Sequence, residues 1–281
     1  MSEISKETEL NIDYIRTGYS RFDKLSDAKK LDVDTDIARS MNLPISDLLD
    51  YPNWYVKCGK KFYFKKRNGL SGLLNELLGE DLSRWMDLPT VHYDIVENDD
   101  GEIIGLFSEN VRKKDVIYRK SKFLSKYEVE YIRRVFTEKD FECDQKFKRD
   151  LTYYIVRNYF AALRDRYSNS EIIVTEDGFE IPHLMDYESS YIDHLLITYC
   201  DPMLDFTFNP ESIDLLKENN EYFVEAVDRA FSYNYRDALM RIEKEHKIVI
   251  PYSVRDYYKE FEARRRETME YMGLKQSTKT K

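Results

Sequence analysis

Residues 1–45 are polar, and their sparse apolar positions are mostly helical in pattern. From residue 54 the pattern sharpens. Trp54-Tyr55-Val56-Lys57 and Phe62-Tyr63-Phe64-Lys65 are short aromatic and β-branched runs around a Gly59-Lys60 turn, which predicts a β-hairpin. Leu73, Leu74, Leu77, Leu78, Leu82 and Trp85 then recur at helical spacing. They predict a helix over 70–87, closed by Pro89. Two further strands follow at 91–96 and 103–107, joined by Asn98-Asp99-Asp100-Gly101, a strong turn signal. The order strand, strand, helix, strand, strand describes a small mixed lobe.

The second half reads differently. Residues 125–137 and 144–166 have helical periodicity, and Leu151, Ile155, Tyr159 and Ala162 form an apolar stripe on the second of these. Ile172-Ile173-Val174 and Phe179-Glu180-Ile181 predict a small hairpin around Glu176-Asp177-Gly178. Residues 211–246 and 253–272 read as long, charged, amphipathic helices. The expected fold class is therefore α+β, with two lobes. A polar helical extension occupies 1–50, the small mixed lobe 51–112, a larger helical lobe 113–275, and a disordered tail 276–281. The seam falls near 109–115.

Composition narrows the function classes. Apolar residues make up 42% and charged residues 35% of the 281 positions, a globular balance. Net charge is −9, which disfavours non-specific nucleic-acid binding. The basic run Arg112 to Lys126 reads as a solvated face. Cys58, Cys143 and Cys200 are odd in number and widely spaced, which argues against a disulfide framework or a zinc site and fits a reducing, cytoplasmic setting. The four histidines show no metallohydrolase spacing. The sequence contains no run of about 18 apolar residues, so no membrane span is expected.

The candidate chemistry lies in the order of a few charged residues. Phosphoryl transfer from ATP needs a strand lysine for the phosphates and a helix acid to hold it. It also needs a carboxylate base and a second carboxylate for Mg²⁺. Lys65 ends the second strand of the first hairpin, and Glu76 and Asp81 lie on the helix that follows. Asp165 follows the helix over 144–166, and Asp186 follows the small hairpin. A loop plus a hairpin between two carboxylates returns the chain beside its start.

Several stretches resemble HipA-like serine/threonine protein kinases. Leu163-Arg164-Asp165-Arg166-Tyr167-Ser168-Asn169-Ser170 resembles that family's Asp-Arg-His-x-x-Asn catalytic loop. Pro182-His183-Leu184-Met185-Asp186-Tyr187-Glu188-Ser189-Ser190 is similar to its Ala-Pro-Leu-Tyr-Asp-x-x-Ser-Ser metal-binding turn. The 54–65 hairpin, the segment from Leu82 to Tyr93, and the segment from Ala238 to Tyr257 are also similar, so the resemblance spans roughly residues 50 to 270. It implies a two-lobed protein-kinase-like fold that uses ATP and Mg²⁺. Asp165 would be the base, Asp186 a metal ligand and Lys65 the phosphate contact. Asp81 would be the helix acid, counted back from Pro89, and Ser108, Glu109 and Asn110 the hinge around adenine. The second metal ligand would be Asn169 or Ser170, because the family's Asn position falls on Ser170 while Asn169 is one place early. Tyr167 replaces the family's His, and Gly59 stands alone where a Gly-rich phosphate loop would lie. The alternative reading is a pseudokinase that keeps the fold and the nucleotide. The resemblance also implies a protein substrate and, in a toxin–antitoxin or phage-related setting, a small antitoxin partner. A third reading is an acidic scaffold whose long C-terminal helices dock a partner.

Overall fold

The structure is a computed structural model describing residues 23–27, 29–30, 54–58, 60–66, 69–113, 116–162, 171–176, 178–184, 199–201 and 206–274. Among the described residues the largest sheet has six strands: β1 (Asp23–Lys24), β2 (Lys29–Lys30), β3 (Trp54–Lys57), β4 (Lys60–Lys66), β5 (Tyr93–Glu97) and β6 (Ile103–Glu109). Their order is β1-β5-β6-β4-β3-β2, antiparallel throughout except for the parallel β1–β5 pair. The segment 23–30 was expected to be helical; it instead supplies short strands to both edges of the sheet. Edge pairing of this kind depends on distant partners, Val96 for Asp23 and Val56 for Lys29, and leaves no local periodicity to read.

The two predicted hairpins of the sheet form as expected. Cys58 takes a left-handed conformation, φ 49°, in the turn between β3 and β4. Between β5 and β6, the Asn98 side chain accepts a hydrogen bond from the Glu102 amide at 2.8 Å, and Gly101 supplies a φ of 85°. Alternation along β4 sends successive side chains to opposite faces. Phe64 joins Phe107 and Val96 in a small outer cluster, the Phe64 and Phe107 rings meeting edge to face at 5.7 Å. Lys65 therefore faces the other way, toward helix α1 (Gly69–Trp85).

Helix α1 is buried over nearly its whole circumference. Leu70, Leu73, Leu74, Leu77, Leu78 and Leu82 are all buried, and so are the polar Asn75, Glu76, Glu80 and Ser83. A helix covered on every side must be central. The sheet covers one face of α1 and α6 (Tyr235–His246) packs against another, while helices α2 (Lys126–Thr137), α3 (Gln145–Phe160), α4 (Pro210–Asn219), α5 (Phe223–Ser232) and α7 (Tyr252–Tyr271) share one continuous apolar cluster with them. The remaining described strands form a three-stranded sheet of β7 (Ile117–Lys120), β8 (Glu171–Val174) and β9 (Phe179–Glu180), and a hairpin of β10 (Tyr199–Asp201) and β11 (Phe206–Phe208).

Two helix boundaries differ from the sequence reading. The helix expected over 144–166 ends at Phe160, where Ala162 turns left-handed at φ 49° and the buried Arg265 guanidinium donates to the carbonyls of Tyr159 and Phe160. The long helix expected over 211–246 is three helices. Asn220 breaks it first: its buried amide donates to the Phe136 carbonyl at 2.7 Å and its oxygen accepts from the Tyr222 amide at 3.1 Å. Asn234 breaks it again as the N-cap of α6, accepting from the Asp237 amide at 3.0 Å. Among the described residues no helix is long and apolar enough to cross a membrane.

Candidate functional site

The centre of the site is an ion pair between the sheet and α1. Lys65 Nζ donates to Glu76 Oε1 at 2.5 Å, with 19% of the Lys65 side chain exposed and only 2% of that of Glu76. Strand alternation aims Lys65 at α1, and the helix turn aims Glu76 back at β4. The carboxylate must be paired because it sits among Leu73, Leu74, Leu77 and Leu78 with almost no access to water. Lys65 keeps an open share through which a phosphate oxygen could be reached.

The backbone beside Lys65 is packed to the limit. Gly105 on β6 lies next to it, and a Cβ there would come within 2.3 Å of the Lys65 carbonyl oxygen and 2.7 Å of the Phe64 ring. No side chain fits without moving β4 away from β6.

Asp81, the expected partner of Lys65, is not that partner; this corrects the sequence reading. Residue 81 is five positions after 76, which places it about 140° around the helix. Its carboxylate faces α6 and accepts from Arg241 Nε at 2.9 Å, Arg241 Nη2 at 2.6 Å and Tyr233 Oη at 2.9 Å. The sequence carried a signal for Glu76 that counting back from Pro89 overrode. Glu76 lies between Leu73-Leu74 and Leu77-Leu78, whereas Asp81 borders the polar Ser83-Arg84 end of the helix.

A third acid of α1 serves the entrance to β5. Glu80 Oε2 accepts from the Tyr93 amide at 3.0 Å, and its Oε1 meets His92 Nδ1 at 2.7 Å and also pairs with Arg84. His92 Nε2 lies 3.4 Å from Asp94. The hydrogen bonds to Asp94 and then Glu80 push the His92 imidazole up to about 10.

The expected hinge residues sit where β6 ends. Ser108 is buried and pairs with Tyr63 and Tyr93 on the two neighbouring strands. The Glu109 carboxylate accepts from Lys60 Nζ at 2.8 Å, and the Asn110 side chain accepts from the Arg112 amide at 3.1 Å. Arg112 was expected on a solvated basic face. It is instead a buried cross-link: its Nη2 reaches both oxygens of Glu171 at 2.5 and 2.6 Å, and its guanidinium lies 4.7 Å over the Tyr118 ring. The chain after β6 is thereby tied to the first residue of β8.

Asp165, Asn169, Ser170 and Asp186 lie outside the described residues. Their flanks are described. Glu171, held by Arg112, follows Ser170 directly. The pairing Ile173 with Glu180 and Val174 with Phe179 makes the chain enter β8 and leave β9 at one end of the hairpin. Leu184, two residues before Asp186, is hydrogen-bonded to the chain just after α1: its amide donates to the Pro89 carbonyl at 2.9 Å, and its carbonyl accepts from the Val91 amide at 3.0 Å and the Thr90 hydroxyl at 3.1 Å. His183 is half-buried, and desolvation followed by the charge of Lys113 lowers its pKa. Among the described residues no group of three or more His, Cys, Asp or Glu could hold a metal ion.

No family model matches the chain, and no curated protein matches it. Among solved structures it is similar to HipA of the Shewanella oneidensis MR-1 toxin–antitoxin system, solved with HipB and its operator DNA: 13% identity and a TM-score of 0.46, over 75% of this chain and 57% of that one. The chain thus spans little more than half the length of that HipA. It is also similar to the Helicobacter pylori proinflammatory kinase CtkA, with 10% identity and a TM-score of 0.47, over 79% of this chain and 88% of that one.

Proposed function

We propose that this protein is a HipA-like serine/threonine protein kinase that transfers the γ-phosphoryl group of ATP to a protein hydroxyl. The observation that carries the reading is the Lys65–Glu76 pair, a strand lysine held by a buried acid of the next helix. Lys65 would meet the phosphates, and Glu76 would fix its ammonium. The β6 end at Ser108, Glu109 and Asn110 would take adenine through backbone groups. Asp165 would accept the proton of the substrate hydroxyl, and Asp186 with Asn169 or Ser170 would hold Mg²⁺, which when bound neutralises the phosphate oxygens. In this reading residues 51–112 are the nucleotide-binding lobe and 113–275 the catalytic lobe, with a cytoplasmic location, a protein substrate and a small antitoxin partner. The tie from Leu184 to Thr90 supports it, because Leu184, two residues before Asp186 in the sequence, lies beside the chain that follows the Glu76 helix.

A second reading keeps nucleotide binding without transfer. It is favoured by Tyr167 and Ser170, which depart from the catalytic-loop pattern of the family. Incubation with γ-labelled ATP and Mg²⁺ separates the two. Wild type should label itself or an added protein acceptor, and Lys65→Met and Asp186→Ala should each lower labelling at least about 100-fold. Equal labelling by wild type and Asp186→Ala would overturn the kinase assignment. Nucleotide binding without labelling would leave the pseudokinase.

A further inference from the structure

The three acids of α1 each meet a different neighbour, and Asp81 meets the C-terminal helices. We infer that Asp81, through Arg241 and Tyr233, is a positioning residue that sets the roll of α1 and thereby holds Glu76 against Lys65.

The contact has the geometry of an anchor. Arg241 approaches Asp81 with two nitrogens, Nε at 2.9 Å and Nη2 at 2.6 Å, in the fork arrangement that fixes orientation as well as distance. The Tyr233 hydroxyl adds a third bond at 2.9 Å. The Arg241 guanidinium is itself held, 5.5 Å from the Trp85 ring centre and 5.8 Å from that of Tyr233. Two further links fasten the same side of the structure to α1. Trp85 Nε1 donates to the Arg229 carbonyl at 3.0 Å while Arg229 Nε donates to the Trp85 carbonyl at 2.6 Å. Asn75 accepts from the Tyr258 hydroxyl at 2.8 Å. The C-terminal helices therefore grip α1 from residue 75 to residue 85.

Glu76 lies between these grips and points elsewhere. A side-chain oxygen on a helix sits roughly 6 Å from the axis, so a roll of about 20° moves it about 2 Å. That displacement separates a pair now 2.5 Å apart. Leucine packing resists displacement in all directions alike, and the forked ion pair adds an orientation-specific restraint that apolar contacts lack. The engagement of Lys65 with Glu76 is then set by helices α5 to α7, more than 140 residues downstream in the chain. Its functional consequence rests on the nucleotide-site reading; its structural content does not.

The test reads Lys65 directly. Wild type, Asp81→Asn, Arg241→Met and Tyr233→Phe are treated with a trace of amine-acylating reagent, and the acylation rate at each lysine is measured by mass spectrometry. Lys65 should react at least about five-fold faster in Asp81→Asn and Arg241→Met, and about two-fold faster in Tyr233→Phe, while the exposed Lys60 keeps its wild-type rate as the internal reference. Arg241→Lys, which restores charge without the fork, should fall between wild type and Arg241→Met. Unchanged Lys65 rates in variants with wild-type circular dichroism would overturn the inference. If Asp81→Asn does not fold, Tyr233→Phe decides, since it removes one hydroxyl and leaves the ion pair. No nucleotide enters this assay, so a failed phosphoryl-transfer experiment and a failed positioning experiment remain separate results.

Discussion

Replacing Glu76 by Gln keeps the side-chain shape and removes its charge, leaving the Lys65 ammonium without its buried counter-ion. Removing one partner of a buried pair costs about 3–5 kcal/mol. Here Glu76 is 2% exposed, but Lys65 retains 19% exposure and can turn part of its ammonium toward water. The expected cost is therefore at the lower end, about 3 kcal/mol. Lys65→Met keeps the apolar stem of the lysine and leaves Glu76 buried with less compensation, so it should cost at least as much. The double variant should lose much less than the sum, giving a coupling energy of about 2 kcal/mol or more. Urea unfolding followed by far-UV circular dichroism measures it, with Glu76→Gln shifting the midpoint down by about 1 M. The pair Lys60–Glu109 provides the control. Its nitrogen and oxygen are 2.8 Å apart, but the side chains are 61% and 44% exposed. At similar distance, water should reduce that coupling below about 0.5 kcal/mol. A Lys65–Glu76 coupling no larger than that of Lys60–Glu109 would refute the reasoning that burial, rather than contact distance, gives this pair its strength.

Two further outcomes follow from the same region. Gly105→Ala forces a Cβ to within 2.3 Å of the Lys65 carbonyl oxygen, so β4 must shift, and the variant should lose about 2 kcal/mol in a urea titration; a loss under about 0.5 kcal/mol would show that the strands part freely. His92 is pushed up to about 10 by hydrogen bonds to Asp94 and Glu80, above its usual 6.5. A raised folded pKa means the folded state holds the proton longer, so the stabilisation is full below about pH 6.5 and is lost as pH rises through about 10. His92 is half-exposed and Arg84 competes for the same Glu80 oxygen, so the contribution should be about 1 kcal/mol. Wild type should exceed His92→Gln in stability by that amount at pH 6 and match it near pH 10.5, and a difference that stays constant with pH would refute the assignment.

The sequence made the hairpins and the central helix visible because their determinants are local. Asn98 and Gly101 specify the β5–β6 turn within four residues, and the leucines of α1 repeat within one helix. The strands at 23–24 and 29–30 escaped because two-residue edges are specified by their partners, Val96–Glu97 and Tyr55–Val56, and not by their own composition. The breaks at Asn220 and Asn234 escaped for a related reason. Charged periodicity runs across both, and only the buried carbonyl of Phe136 explains why Asn220 must leave the helix. The helix acid is the most informative case. A helix apolar on one stripe shows which residues face its neighbour, but α1 is buried nearly all round, so periodicity cannot say which side meets β4. Counting back from Pro89 then chose Asp81. Burial cost supplies the argument that spacing lacks: an acid with leucines three before and one after must have a cation within reach, and the strand just before this helix offers one on the correct face. Phe62 and Phe64 share the outer cluster, so alternation puts Lys65 on the inner face. Read together, strand alternation and the cost of a buried carboxylate identify Lys65 and Glu76 as partners without reference to any relative. They also leave Asp81 in need of a cation of its own, which Arg241 supplies from the far end of the chain.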